Sequence, residues 1–492
     1  MVQDVDNQIE ALGLDPGVIA NHRHKLFQAE ADSSQFLPII DTCRLDNGGL
    51  IPLPEDQTPG SPQVVAFVPA AGAASRYFKP LADLLLSLEG QQWNDAFKAL
   101  QNLVSDGALQ WPLPPTMKEV LSKFTTFSPA DLSAYQQKLI AEIHRPKALQ
   151  PCVTDGVSFL AMKTKEHDAL KDFLSAQVFV CPMGQSRDFS DSLQKLAPQL
   201  SAVTTEQGPD LSTLRFRHDG VPYQDEEGQI SMVPAGHGAL ARKFAELKQQ
   251  HPHWDGLFIR NVDNVMGLNL EALAASRQFL SLFQRCLTAM QTIRSGKVSA
   301  QAIAELEQLL PNLPTVTNEE ERLWRLQKDL FHYPAPRPVS RNDLLALFQR
   351  PLNILGQVPN TNADVGGTPC FVKVRGAATK ICLEVPHASP QDKEDFLANP
   401  VKATHFNPVF AACELVADRD YYHPPNNPFW LKAHKTFRGE DVVYHETVLY
   451  ELVGNSQMSN VLFVEVPRCV FNPHKTLADG ASQTAQKWLP TP

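Results

Sequence analysis

The stretch VVAFVPAAGAASRYFKP (64–80) decides the fold. Its first seven residues, VVAFVPA (64–70), are a short β-branched apolar run, the pattern of a strand buried in a parallel sheet. Small residues and then a cation follow at once, AGAASR. Backbone at Ala71, Gly72 and Ala73 can approach a ligand closely, and the amides of such a turn can cradle phosphate oxygens. Arg76 adds a charge-assisted fork for the same oxygens, and Lys79 is a second cation three residues on. An ordinary strand–helix turn has the same composition, so the surrounding chain must decide.

Outward from this run, VSFLAM (157–162), AQVFVC (176–181), LSAVTT (200–205) and LFIRNV (257–262) read as further strands with helical stretches between several of them. That alternation predicts an α/β, Rossmann-like sheet with crossover helices. Residues 80–145 are helical in pattern, as are 270–350. Residues 1–40 read as helical and 50–63, rich in Pro, Gly and Asp, as a connection. Beyond 350 the chain is strand-and-loop, with FVKV, ICLEV and VLFVEV as strands. EVPRCVFNP (465–473) reads as an edge strand plus turn without chemistry, because Pro467 and Pro473 cannot donate to a ladder. The expected organisation is a helical segment (1–60), an α/β core (61–275) with a helical insertion at about 81–145, a second helical segment (276–350) and a C-terminal α+β region (351–492).

The chain's 492 residues exceed one ordinary core and suggest two or three folding units. A formal charge of −10 without a Lys/Arg-rich tract argues against nucleic-acid binding. It leaves room for a small anion in a local pocket. No run of about 18 apolar residues exists to span a membrane. The start, MVQDVDNQIEALGLD, lacks the basic and apolar regions of a secretory signal, so a cytoplasmic location is expected. The eight cysteines form no C-x-x-C pair and read as reduced core residues.

Three more segments carry candidate chemistry, and the later strands add two residues. In RPKALQP (145–151), Pro146 fixes the backbone and Lys147 offers a compact cation of the kind that neutralises charge on a transferred phosphate. In MVPAGHGALARKF (232–244), Gly236 and Gly238 flank His237 just before a helix start, where backbone can approach a ring or phosphate. In GLFIRNVDNV (256–265), an apolar strand delivers Asn261, Asp263 and Asn264 at its C-terminal end, where ligands bind in open α/β sheets. A carboxylate beside phosphates there suits Mg²⁺. Among the later strands, Lys373 is a candidate to reach phosphates and Asn407 to line a pocket; the competing reading of THFNP (404–408) is a hydrogen-bonded turn before Pro408.

Gly72, Arg76, Pro146-Lys147, Gln207, PAGHG (234–238) and NVDN (261–264), in that order, resemble the nucleotidyltransferase superfamily, its UDP-sugar pyrophosphorylase branch most. PAAGAASRYFK, PAGHGAL, NVDNV, ATHFNPV (403–409) and LFVEVPRCVFNPHKT (462–476) resemble, over nearly the whole chain, the bacterial family called domain of unknown function 4301. The resemblance implies a GT-A-type sheet and Mg²⁺-dependent transfer of a nucleotidyl group from a nucleoside triphosphate to a sugar-1-phosphate. It implies that Ala71, Gly72 and Ala73 hold the triphosphate, that Arg76 and Lys147 stabilise the phosphate under attack, and that Asp263 binds the metal. Gln207, Gly236, His237 and Gly238 would contact base or sugar, and Asn261 and Asn264 would position the ligand. The partners implied are thus a nucleotide and a phosphorylated sugar. The chain departs from the pattern in three places. Its first loop is alanine-rich, a helical insertion separates Arg76 from Lys147 so that Lys79 competes for the role, and Phe410 stands where an acid is common. A nucleotide-sugar-dependent glycosyltransferase is the alternative, weakened by the lack of an Asp-x-Asp element at a strand end, and a non-catalytic nucleotide or sugar binder is a third reading.

Overall fold

The structure, a computed structural model, describes residues 2–27, 36–72, 76–267, 269–296, 298–310, 316–361, 366–374, 376–417 and 430–481. The chain is mixed α/β and divides into two compact units, each assembled from separated stretches. One comprises residues 1–65, 207–259 and 277–468; the other comprises 66–206, 260–276 and 469–492.

In the first unit the strands Ile51–Pro52, Asn460–Glu465, Leu352–Pro359, Phe410–Glu414 and Gly256–Arg260 lie side by side in that order. Asn460–Glu465 is parallel to both of its neighbours, and Phe410–Glu414 is antiparallel to Leu352–Pro359. Of EVPRCVFNP (465–473), only Glu465 is in a strand, and it is no edge: it pairs with Pro52 on one side and Gln357 on the other, while Arg468–Val470 beyond it is a 3₁₀ turn. The expected connection at 50–63 supplies that partner strand. Ile39–Thr42, expected within a helical stretch, is instead a strand on Thr368–Val374, which continues antiparallel to Ala377–Leu383. Its two buried ends, Ile39 and Thr42, flank more exposed residues, so it packs as a strand edge. Where an acid is common, Phe410 is fully buried, its ring 5.1 Å from that of Phe258 and 4.8 Å from that of Phe279. A charge there would be stranded in an aromatic cluster.

The strands Val64–Pro69, Leu174–Pro182 and Ala202–Gln207, which belong to the second unit except for Val64, Val65 and Gln207, are adjacent in that order, with Ala70 N–H donating to the Val180 carbonyl at 2.8 Å. The expected helical insertion is present as Ala82–Glu89, Trp93–Ser105, Pro115–Lys123 and Pro129–His144. Leu84, Leu88, Leu100, Leu103, Leu132 and Leu139 from these helices form a core with Val68, Phe179 and Val262. VSFLAM is a helix start and not a strand: Ser158 accepts from Ala161 N–H at 3.1 Å and caps Phe159–Asp168. A six-residue apolar run has no period of its own, and here the cap and the following KTKEHD decide it. No helix among the described residues is long and apolar enough to cross a membrane. All eight cysteines are free thiols.

Candidate functional site

Lys147 opens a short 3₁₀ turn, Lys147–Leu149, because Pro146 before it holds an extended conformation and its carbonyl accepts from Leu149 N–H. The side chain turns inward and is only 9 % exposed. Its ammonium donates to Asp263 Oδ2 at 3.1 Å and to the His474 carbonyl at 2.8 Å. It also lies 5.1 Å from the centre of the Tyr77 ring and 5.2 Å from that of Phe159. Burial lowers the Lys147 pKa from its ordinary value, although Asp263 opposes the shift; Lys475 is close enough to push it further down. The Lys147 ammonium is thus covered by two rings and hydrogen-bonded to a carboxylate 116 residues away in sequence, with Asp479 also near enough to favour its charge.

Asp263 lies in the turn that follows Gly256–Arg260, with 28 % of its side chain exposed. That turn is stitched to the segment 470–474. Asn264 Nδ2 donates to the Val470 carbonyl, Asn472 N–H donates to Asn264 Oδ1, and Asn472 Nδ2 donates to the Val265 carbonyl. His474 N–H donates to the Asp263 carbonyl at 2.8 Å, and His474 Nδ1 bonds the Cys152 carbonyl at 2.9 Å. Asn264 therefore holds the turn with both ends of its amide, whereas Asn261 is half-buried at the strand exit.

Of the first loop, Ala71 is half-buried and Gly72 exposed, with open space where a Cβ would stand; Ala73 lies outside the described residues. Tyr77 anchors the far side of the loop, its hydroxyl donating to the Pro151 carbonyl. Arg76 and Lys79 flank the buried Tyr77 and Phe78 and are both exposed, so Lys147, not Lys79, is the lysine that meets Asp263.

The remaining candidates belong to the other unit. Gln207 is half-buried at a strand end. Gly236 has φ +85°, and a Cβ there would meet the Thr447 carbonyl oxygen at 2.4 Å; at Gly238 it would meet Thr447 Oγ1 at 2.6 Å. Close packing on Thr447 accounts for both glycines without a ligand. His237 between them is exposed and begins the 3₁₀ turn His237–Ala241. Asn407 is buried with its amide donating to the Gly356 carbonyl and its oxygen accepting from Val409 N–H, which holds Val409 at φ +60°; the turn reading accounts for this side chain. His405 bonds Glu465 at 2.8 Å. Lys373 is exposed on the three-stranded sheet, opposite Ala378.

Sequence reasoning passed over Asn472, His474 and Lys475. Polar residues crowded around Pro473 were the available signal, but nothing local says that Pro473 bridges back to Asn264. Among the described residues no three His, Cys, Asp or Glu side chains gather as a metal cage. One oxygen of Asp263 is taken by Lys147, so the side chains at this turn do not by themselves make a Mg²⁺ cage.

Solved structures share this fold. A UDP-glucose phosphorylase from Trypanosoma brucei aligns at 13 % identity and a TM-score of 0.50, over 96 % of this chain and 76 % of that one. A point mutant of UDP-glucose pyrophosphorylase from Leishmania major, in complex with UDP-glucose, aligns at 14 % identity and the same TM-score and coverage. The α/β fold is thus one that these two structures share. No curated protein matches the chain. The profile described as "Domain of unknown function (DUF4301)" matches residues 185–486, a narrower span than expected, which takes in Gln207, the 236–238 loop, Asp263 and Asn407 and leaves Arg76 and Lys147 outside. With well over half its length matched, the chain belongs to the DUF4301 family.

Proposed function

We propose that the chain is a nucleotidyltransferase of the UDP-sugar pyrophosphorylase kind, moving a nucleotidyl group from a nucleoside triphosphate to a sugar-1-phosphate or similar phosphorylated acceptor. The observation that carries this reading is the buried Lys147 ammonium facing Asp263 at the exit of a sheet strand. Ligands of open α/β sheets bind at the carboxyl ends of strands. A lysine held in so dry a place is a preorganised charge for an anion. The likeness in fold to UDP-glucose pyrophosphorylase supports the reaction class.

In the reaction an acceptor phosphate oxygen bonds to the α-phosphorus, the bond from that phosphorus to the β-bridging oxygen breaks, and pyrophosphate leaves. No protein nucleophile is needed; the protein's part is alignment and charge neutralisation. Lys147 takes the developing negative charge, with Arg76, Lys79 and Lys475 as further cations around the phosphates. Asn261 orients the ligand, while Asn264 keeps the turn in shape. Mg²⁺ arriving with the triphosphate supplies Lewis-acid neutralisation, and Asp263 is the residue that would hold it.

One observation favours a second reading, a nucleotide-sugar binder without turnover: Lys147 already occupies an Asp263 oxygen that a metal would use. Thermal melting with UTP and with UDP-glucose, each with and without Mg²⁺, followed by a pyrophosphate-release assay, separates the two. Ligand at about 100 times its Kd stabilises by about 2.7 kcal/mol. A Mg²⁺-dependent shift with UTP, pyrophosphate release, and loss of both in Asp263→Asn is the expected result. A shift with UDP-glucose alone and no release supports the binder; no shift with either refutes both.

A further inference from the structure

Behind Asp263 the second unit buries three charged side chains that the reaction above does not use. Lys163 and Glu166 sit three residues apart on one face of the helix Phe159–Asp168, and Arg260 ends the strand before the Asp263 turn. All three are at most 4 % exposed. Glu166 Oε2 accepts from the Lys163 ammonium at 2.8 Å and from Arg260 Nη1 at 3.0 Å. Its other oxygen, Oε1, accepts from Gly267 N–H at 2.8 Å. Both cations also donate to one backbone carbonyl, that of Asn264, the residue after Asp263.

We infer that Lys163, Glu166 and Arg260 are a positioning triad that sets the backbone of the turn 261–267 and so aims the Asp263 carboxylate. The proposal rests on the reading of Asp263 as a ligand-binding group. Two physical facts support it. A buried ionic triad is no more stabilising than apolar residues of the same volume, so its value lies in the geometry it imposes. The hydrogen bonds that join these side chains to the turn grip it twice just after Asp263, at the Asn264 carbonyl and at the Gly267 amide. Two cations against one carboxylate also leave an excess positive charge behind Asp263. That charge favours a phosphate in front of it. Burial, with Arg260 alongside, pushes the pKa of the Lys163 ammonium down to about 8.

The test compares Lys163→Met and Glu166→Gln with the unaltered full-length chain by two readouts. Hydrogen exchange of the Asn264, Val265 and Gly267 amides is read against that of the strand Leu174–Pro182. The Mg²⁺ concentration for half-maximal turnover with UTP is read alongside kcat. We expect exchange at the turn to quicken at least tenfold while the strand amides stay within about twofold. The Mg²⁺ requirement should rise about 10–100-fold with a smaller change in kcat, as for other outer groups that orient a metal-holding side chain. A triad that merely stabilises the fold would quicken strand and turn alike and leave the Mg²⁺ requirement unmoved below the melting temperature. Unchanged turn exchange in the variants overturns the proposal, and so does a loosened turn with unchanged Mg²⁺ requirement. If Lys163→Met does not fold, Glu166→Gln, which keeps an oxygen for Gly267, decides. If the unaltered chain binds neither UTP nor UDP-glucose, the functional reading fails, and the exchange readout alone still confirms or overturns the control of the turn by the triad.

Discussion

Replacing Lys147 with methionine should cut turnover sharply and leave the fold about as stable as before. Methionine keeps the unbranched stem between the Tyr77 and Phe159 rings but removes the ammonium. Three interactions are lost. The His474 carbonyl loses a donor, which costs about 1–3 kcal/mol if it stays dry. The cation–ring contacts are worth about 0.5–2 kcal/mol. Asp263 loses its partner but is 28 % exposed, so water replaces much of that interaction. Against these stands the desolvation of the ammonium, and the lowered pKa of Lys147 says that desolvation outweighs its partners. The charge therefore destabilises the folded state, and the terms should cancel to within about 1 kcal/mol. Turnover should fall about 10²–10³-fold, the loss typical of one preorganised electrostatic contact.

The pH dependence gives an independent sign. Between its lowered folded pKa and the ordinary 10.5, Lys147 binds fewer protons folded than unfolded, so stability from this group rises with pH across that window. Methionine has no such slope. The stability of the variant relative to the parent should therefore fall as pH rises toward 10.5. Buried thiols such as Cys152, pushed up to about 12, ionise only on unfolding and pull both proteins down alike above pH 9. Melting of both proteins from pH 7 to 10, with pyrophosphate release at pH 7.5, makes the measurement. Turnover within about threefold of the parent would remove Lys147 from the mechanism. A loss of more than about 3 kcal/mol in stability would show that the pair with Asp263 is structural.

Other substitutions probe the rest of the molecule. Arg76→Ala removes an exposed side chain, so melting should move by no more than about 0.5 kcal/mol while pyrophosphate release falls about 10²-fold; equal rates would clear Arg76 of any role. Gly236→Ala forces an L side chain to φ +85° and drives a Cβ into the Thr447 carbonyl, and differential scanning calorimetry should find it destabilised by about 1–3 kcal/mol. Glu384 has its pKa raised to about 7, by burial first and then by Glu451 beside it. A raised carboxyl binds its proton more tightly when folded, so its stabilising contribution is present below about 4.5 and lost as pH rises to 7. Glu384→Gln should thus match the parent at pH 4 and exceed it above pH 7; a constant difference across that range would contradict the burial of this carboxyl.

Much of the frame is legible in the sequence, and the failures share a cause. The runs at 176–181 and 257–262 are β-branched, flanked by turns, and form strands as read. VSFLAM has the same apolar character, yet Ser158 caps it into a helix; the hydroxyl inside the run was the signal to weigh. The glycines of PAGHG do need their special conformation, but the partner that demands it is Thr447, more than 200 residues on, and not a ligand approaching the loop. Asn407 in THFNP is spent on its own turn, and Phe410 on an aromatic cluster.

The sequence by itself determined the alternation of strands and helices and put Asp263 just past a strand end, because both follow from side-chain periodicity and residue shape over a few neighbours. Only the tertiary structure decided that Lys147 rather than Lys79 meets Asp263, that His474 closes the pair, and that Lys163, Glu166 and Arg260 stand behind it. Those outcomes turn on which charges lose their water, and desolvation is set by whatever packs around a group, from any distance along the chain.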